Sequence, residues 1–141
     1  MTHVVVVDDS KTFRLLLRSL LEPEGYSTSE ASDGLEALDT LRTCTDRVIV
    51  LLDYRMPNMD GWQVLQAVEE AGAPLTSHEY IVVSGELSTF PLEAVDLLRH
   101  LSIRTLPKPF EKQTLISAVA QAAERLSSPS FEKIPDISEE E

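Results

Sequence analysis

The sequence has a single cysteine, no long apolar run and few basic residues. The one cysteine, Cys44, cannot form an internal disulfide and has no cysteine partner for a zinc site, so a redox or structural-metal role has little support. The longest apolar run, 48–52, has five residues, whereas a helix that crosses a bilayer needs roughly 20. The N-terminus does not resemble a signal peptide. These absences predict a cytoplasmic protein.

Acidic side chains outnumber basic ones. The 141 residues include 24 Asp and Glu against 12 Lys and Arg, which gives a formal net charge of -12. This surplus repels phosphate backbones and anionic lipid, so we expect neither nucleic acid nor membrane as a partner. The length and a hydrophobic content of 43% fit one globular domain. The acidity leaves open a site in which carboxylates carry the chemistry.

The acidic surplus is concentrated at the end of the chain. Residues 127–141 hold five acidic side chains and one basic side chain, together with serine and proline. This composition predicts a folded domain over 1–126 and an acidic, disordered tail over 127–141. Phe131, Ile134 and Ile137 recur at every third position of the tail. They are either scattered apolar residues or a short docking segment.

The first 126 residues alternate between two patterns. Short apolar or β-branched runs predict five strands, at 3–7, 26–31, 48–52, 80–84 and 103–106. The stretches between them have helical spacing; Pro91 suits the first turn of a fourth helix that ends near His100, and Leu115 to Leu126 mark a fifth. Apolar runs without alternation are typical of parallel strands covered on both faces. The pattern predicts a doubly wound α/β fold with a five-stranded parallel sheet.

Charged and polar side chains follow four of the five predicted strands. Ligands of open α/β sheets bind outside the carboxyl ends of the strands. Each residue has a structural alternative: Asp8 or Ser10 could cap the first helix, Asp53 could be a loop acid, and Lys108 could be a surface charge. Their coincidence at one edge favours a site. The candidate site residues are Asp8, Asp9, Asp53, Ser84 and Lys108.

This inventory has a chemical interpretation. Three carboxylates brought together without a cation raise one another's pKa, so such a cluster is suited to a hard divalent ion. Oxygen ligands with open positions favour Mg²⁺, which also accepts phosphate oxygens as ligands. Lys108 supplies a positive charge and Ser84 a hydroxyl donor for a phosphoryl group. The residues predict a carboxylate that accepts a phosphoryl group.

At these residues the sequence resembles the receiver domain of two-component response regulators. The resemblance covers roughly residues 2–126 and rests on four matching pieces in order and at matching intervals. They are Asp8-Asp9 after an apolar strand, Leu52-Asp53-Tyr54-Arg55-Met56-Pro57-Asn58-Met59-Asp60-Gly61, Ser84-Gly85 after the fourth strand, and Lys108-Pro109-Phe110 after the fifth.

The resemblance implies a fold, a cofactor, partners and roles. It implies a flavodoxin-like (βα)₅ sandwich, with Asp53 as the phosphoacceptor and a sensor histidine kinase or histidine phosphotransfer protein as the donor. It implies that Asp8, Asp9, Asp53 and the backbone carbonyl of Arg55 bind Mg²⁺. Ser84 and Lys108 would contact the phosphoryl group, and the Lys108-Pro109 bond would be cis. Gly61 would be available for a positive φ.

Two positions distinguish this sequence from the family pattern. Receivers usually have an aromatic residue three positions before the lysine, and Thr105 stands there. Because a threonine cannot sweep the volume of an aromatic ring, output would rely on movement of the loop between Ser84 and Pro91. Arg55 and Glu86, two residues past Asp53 and Ser84, have opposite charges. We expect an ion pair between them to flank the site and obstruct the water that hydrolyses the aspartyl phosphate.

These observations predict a stand-alone response regulator of the single-domain, chemotaxis-regulator-like type. It would act by phosphorelay or through contacts of its fourth helix, fifth strand and fifth helix with an unknown downstream protein target, as a monomer or a weak dimer through the same surface. It would not be an enzyme beyond its own phosphorylation and dephosphorylation. One alternative is an interaction module that never takes phosphate. Another is a Mg²⁺-dependent phosphohydrolase, although Arg55 stands where such an enzyme has an acid.

Overall fold

The chain folds into one parallel sheet between two layers of helices. A computed structural model describes residues 2–85 and 90–127. The strands are β1 (His3–Val7), β2 (Ser27–Ala31), β3 (Ile49–Asp53), β4 (Glu79–Ser84) and β5 (Arg104–Pro107). The helices are α1 (Lys11–Leu21), α2 (Gly34–Thr43), α3 (Gly61–Ala71), α4 (Leu92–His100) and α5 (Lys112–Ser127). Among the described residues, no helix is long and apolar enough to cross a membrane.

The sheet has the order β2-β1-β3-β4-β5, and all its neighbours are parallel. The strand order reverses between β1 and β3, which is the point where open α/β folds bind their ligands. The predicted doubly wound, five-stranded parallel fold is therefore confirmed, with the flavodoxin-like strand order.

Side chains of the central strands alternate between two cores because the period of a strand is two. Val5 and Val7 lie in the core under α2, α3 and α4, whereas Val4 and Val6 lie in the core under α1 and α5. All four valines are almost fully buried. This two-sided burial explains why β1 and β3 are uninterrupted apolar runs in the sequence.

Local chemistry fixes the helix starts. The Phe13 N–H donates to the Ser10 hydroxyl at 3.2 Å, so Ser10 caps α1. Asp60 and Gln63 form a reciprocal capping box at the start of α3. Pro91 was expected in the first turn of the fourth helix; it is instead the N-cap residue of α4, one position before the helix begins at Leu92.

The expectation of a positive φ at Gly61 is wrong. Gly61 begins α3 and is not among the positive-φ residues of the described chain; in this connection Asn58 has the positive φ, 68°. Gly61 is needed for space, because a Cβ there would lie 2.9 Å from the Asp53 carbonyl oxygen and 2.9 Å from the Tyr54 Cα. The turn after the acidic strand therefore packs backbone against backbone.

The end of α5 is fixed to the amino edge of the sheet. The Arg125 guanidinium pairs with the buried Glu79 carboxylate at 2.8 Å, at the first residue of β4. Arg47, just before β3, donates to the carbonyl of Leu126 at 3.1 Å. The helix includes Ser127, which had been predicted as the first residue of the tail. The rest of the predicted tail, 128–141, lies outside the described residues.

Candidate functional site

Three carboxylates meet at the carboxyl edge of the sheet. Asp53 is the last residue of β3, and Asp8 and Asp9 directly follow β1. Because β1 and β3 are parallel neighbours, with Val7 beside Leu52, the two strand ends lie side by side. One carboxylate oxygen from each acid lies within 4.8 Å of the others. The predicted acidic cluster is therefore present in the fold.

The cluster is buried on one side and open on the other. Asp8 and Asp53 are 2% and 6% exposed, whereas Asp9 is exposed. The Asp8 carboxylate accepts a hydrogen bond from the Ser10 N–H at 2.9 Å. A ligand would meet two fixed carboxylates from the side of solvent.

Lys108 provides the positive charge beside these acids. Its Nζ lies 3.3 Å from Asp8 Oδ2 and 3.3 Å from Asp53 Oδ1. The same ammonium lies 4.3 Å from the centre of the Phe13 ring, whose face also attracts a cation. The Lys108 backbone N–H donates to the carbonyl of Ser84 at 2.8 Å, which ties the loop after β5 to the end of β4. The lysine is thereby held over the acidic pair.

The structure describes three of the remaining predicted residues, Ser84, Arg55 and Thr105. Ser84 is the last residue of β4 and is 2% exposed. Arg55 is exposed just after β3, and Thr105 is half-buried within β5. The Lys108-Pro109 peptide bond is cis, as the resemblance implied. Glu86, and with it the expected pair with Arg55, lies outside the described residues.

The electrostatics of Asp53 reflect its crowding. The pKa of its carboxyl is raised from 3.8 to about 6. Burial is the largest cause, and the negative charge of Asp8 is the second. The Lys108 ammonium and its hydrogen bond act in the opposite direction, and Asp9 adds a smaller upward effect. The Lys108 charge therefore does not offset the combined effect of burial and of the two neighbouring carboxylates on this pKa.

This arrangement fits a hard divalent cation. The three acids offer only oxygen atoms, which Mg²⁺ prefers, and Asp9 lies on the open side where water or phosphate could complete the coordination. Three carboxylates beside one lysine leave a formal surplus of negative charge, which a divalent cation would neutralise. The donor set is therefore chemically suited to Mg²⁺.

Two features of the site were not predicted from the sequence. Arg14, on α1, donates to the carbonyl of Asp8 at 2.6 Å and pairs with Glu30 at 2.7 Å, so it holds the turn that carries the acids. The rings of Tyr54 and Phe90 are stacked with 3.8 Å between their centres. The helical spacing of Arg14 and Arg18 could have indicated a polar stripe beside the apolar face of α1, but nothing in the sequence pairs Tyr54 with Phe90.

An apolar surface borders the site. Leu15 and Leu16 of α1 are 49% and 45% exposed. Leu16, Pro109 and Phe110 line a pocket of about 360 Å³ that also includes Phe13 and Lys108. A protein that approaches Asp53 along α1 would bury this surface.

Comparisons with known proteins agree with the fold. Transcriptional regulatory protein CpxR from Escherichia coli (strain K12) is 32% identical over 119 residues, 84% of this chain and 48% of CpxR. Protein PilG from Pseudomonas aeruginosa is 30% identical over 135 residues, 96% of this chain and 93% of PilG. The chain thus spans about half the length of CpxR.

A solved structure and a family match complete the comparison. The chemotaxis protein CheY4 of Vibrio cholerae superposes with a TM-score of 0.73 at 25% identity, covering 86% of this chain and 98% of CheY4. Residues 4–120 match the family described as response regulator receiver domain. The chain belongs to the response regulator receiver domain family.

Proposed function

We propose that this receiver domain accepts a phosphoryl group on Asp53 from a histidine kinase or a histidine phosphotransfer protein. The observation that carries the proposal is the position of the Asp53 carboxylate, in one cluster with Asp8 and Asp9 and 3.3 Å from the Lys108 ammonium. Receiver domains are phosphoacceptors in signalling, and this arrangement supports the same role here.

Each residue of the cluster has a separate task in this proposal. Asp8, Asp9, Asp53 and the Arg55 carbonyl hold Mg²⁺, which when bound neutralises the carboxylates and the negative charge of the incoming phosphoryl group. An Asp53 oxygen forms a bond to phosphorus while the bond from phosphorus to the donor histidine nitrogen breaks, and the nitrogen keeps the electron pair. Lys108 then pairs with a phosphoryl oxygen.

The buried hydroxyl of Ser84 acts on the product. It donates to a phosphoryl oxygen once Asp53 is modified, which shifts the balance between two conformations of the domain. Thr105 is too small to take the part that an aromatic ring at this position has in other receivers. The stacked pair of Tyr54 and Phe90 instead links the residue after Asp53 to the start of α4. Output then passes through the surface of α4, β5 and α5 to a downstream protein, or through relay of the phosphate.

The natural phosphodonor in this proposal is a protein; acetyl phosphate serves in the test below as a chemical substitute for it. A protein donor that docks beside Lys108 would contact the exposed Leu16 and the pocket beside Phe110. Burial of such apolar surface stabilises a protein complex. The name of a further relative, sporulation initiation phosphotransferase F from Bacillus subtilis, 39% identical over 66 residues, is consistent with phosphoryl transfer as the chemistry of this site.

The test uses beryllofluoride, which mimics an aspartyl phosphate, and acetyl phosphate as a small donor. With Mg²⁺, the wild type should show saturable amide shifts around Asp53, Ser84 and Lys108 with beryllofluoride and should gain one phosphoryl group by mass with acetyl phosphate. Asp53→Asn should do neither, and Asp39→Asn, which changes an exposed acid of α2, should behave as the wild type. Wild type and Asp53→Asn that respond alike would refute the proposal.

A further inference from the structure

A groove between α3 and α4 shares no lining residue with the acidic cluster or with Lys108. The groove is open to solvent and has a volume of about 460 Å³. Its floor is formed by Trp62 and Leu97, which are half-buried. The lining residues recur at helical spacing on both helices, so one face of each helix is turned toward the groove. On α3 these are Trp62, Gln66, Glu69 and Glu70; on α4 they are Glu93, Asp96, Leu97 and His100.

The walls of the groove are acidic. Glu69 and Glu70 line one side, and Glu93 and Asp96 line the other; all four are exposed. Neither lysine nor arginine is among the described residues that line it. An apolar floor between two acidic walls attracts a ligand that is apolar along one side and positively charged along its flanks.

We propose that this groove binds a basic amphipathic helix of a partner protein. The apolar stripe of that helix would lie on Trp62 and Leu97, and its Lys or Arg side chains would meet the carboxylates of the two walls. The lining of α3 spans nine residues, 62–70, which is about 12 Å or two to three helical turns. This length suits a helix anchored at positions i, i+3 or i+4, and i+7.

Charge argues against the other occupants of the groove. The remaining segment of this chain, 128–141, carries five acidic side chains and one basic side chain, so the acidic walls would repel it. A second copy of the chain brings a further net charge of -12. Nucleic acid and anionic lipid are repelled for the same reason. A basic segment of another protein is the complementary occupant.

The fluorescence of Trp62 provides a direct test, because it is the only tryptophan in the sequence. The probe is a synthetic amphipathic helix of about 18 residues with leucine on one face and lysine on the other. It is titrated into the full chain without Mg²⁺ or phosphodonor. We expect a saturable shift of Trp62 emission to shorter wavelength, and an affinity that falls as salt is added.

Matched charge variants separate local binding from general attraction. Glu69→Lys with Asp96→Lys should weaken binding by at least about tenfold, and the milder pair Glu69→Gln with Asp96→Asn should give an intermediate loss. The control pair Glu24→Lys with Asp46→Lys makes the same change of net charge at exposed positions outside the groove. It should retain most of the affinity.

Three outcomes of the titration would contradict the proposal. Equal losses of peptide affinity in the groove pair and the control pair would overturn the proposal. So would an unchanged Trp62 emission. The same emission shift with spermidine, a polyamine without an apolar face, would also overturn it. Asp53→Asn should bind the peptide as well as the wild type does. The groove proposal therefore stands or falls independently of the phosphoacceptor proposal.

Discussion

Replacement of Asp53 by asparagine should stabilise the protein when no metal is present. The change keeps the shape of the side chain and removes its negative charge from a buried position beside Asp8. Lys108 still pairs with Asp8, at 3.3 Å. The variant therefore isolates the cost of the Asp53 charge.

The magnitude follows from the raised pKa of Asp53. Each pKa unit corresponds to about 1.4 kcal/mol, so a rise from 3.8 to about 6 would cost the folded state about 3 kcal/mol if the carboxylate were fully shielded from water. Because the site is open on the side of Asp9, screening by water reduces the expected difference to about 1–2 kcal/mol.

The sign of the pH dependence follows from the same shift. Below about pH 4 the Asp53 carboxyl is protonated in the folded and unfolded chains, so its charge costs nothing. As the pH rises from 4 to above 6, the unfolded chain loses this proton first and the free energy of unfolding of the wild type falls. Asp53→Asn lacks this loss, so the gap between the two proteins should open over this range.

Urea unfolding followed by far-ultraviolet circular dichroism measures this gap, with EDTA present, at pH 4 and pH 8. Added Mg²⁺ should then stabilise the wild type more than Asp53→Asn, because a ligand that binds only the folded state raises the free energy of unfolding. Asp39→Asn, an exposed acid with one partner at 3.7 Å, is the control and should change little. Equal stability of wild type and Asp53→Asn at pH 8, or a gap that does not depend on pH, would refute the reasoning.

Two further substitutions test the supports of the site. Arg14→Ala should lower the free energy of unfolding by about 1–3 kcal/mol, because it removes the hydrogen bond to the Asp8 carbonyl. It should also weaken Mg²⁺ binding measured by calorimetry. The control is Arg18→Ala, which loses a contact with Glu30 but none with that carbonyl, and it should leave Mg²⁺ affinity unchanged. Gly61→Ala should lower the free energy of unfolding by about 1–3 kcal/mol in urea, because its Cβ would lie 2.9 Å from backbone. Gly85→Ala, for which no atom of the described residues lies within 4 Å of the added carbon, should have a much smaller effect.

The fold and the identity of the site residues could be predicted because both depend on local sequence. Runs such as 48–52 mark buried parallel strands, and the carboxyl ends of such strands necessarily share one edge. The boundaries were less accurate: Glu79, one residue before the predicted strand at 80–84, begins β4. Its N–H donates to the carbonyl of Val48 at 3.0 Å and its carboxylate pairs with Arg125. No local pattern records such a partner, 46 residues away in the chain.

The tertiary contacts of the site could not be predicted for the same reason. The contact of Arg14 with the Asp8 carbonyl depends on how closely α1 approaches the end of β1. The need for glycine at position 61 depends on the path of the chain after β3, and the sequence alone suggested a turn with positive φ instead. The stacking of Tyr54 on Phe90 joins two loops whose spacing the sequence does not encode.

The attachment of α5 at the amino edge of the sheet has a practical consequence. Glu79 and Arg47 hold the last turn of this helix at the starts of β4 and β3, whereas Asp53 and Ser84 stand at the ends of the same strands. A strand of five residues is about 16 Å long. A fluorophore or an affinity tag attached directly after Ser127 would therefore start at the amino edge of the sheet, opposite the edge that carries the phosphoacceptor. Labelled protein should serve in phosphorylation assays without obstruction of the site.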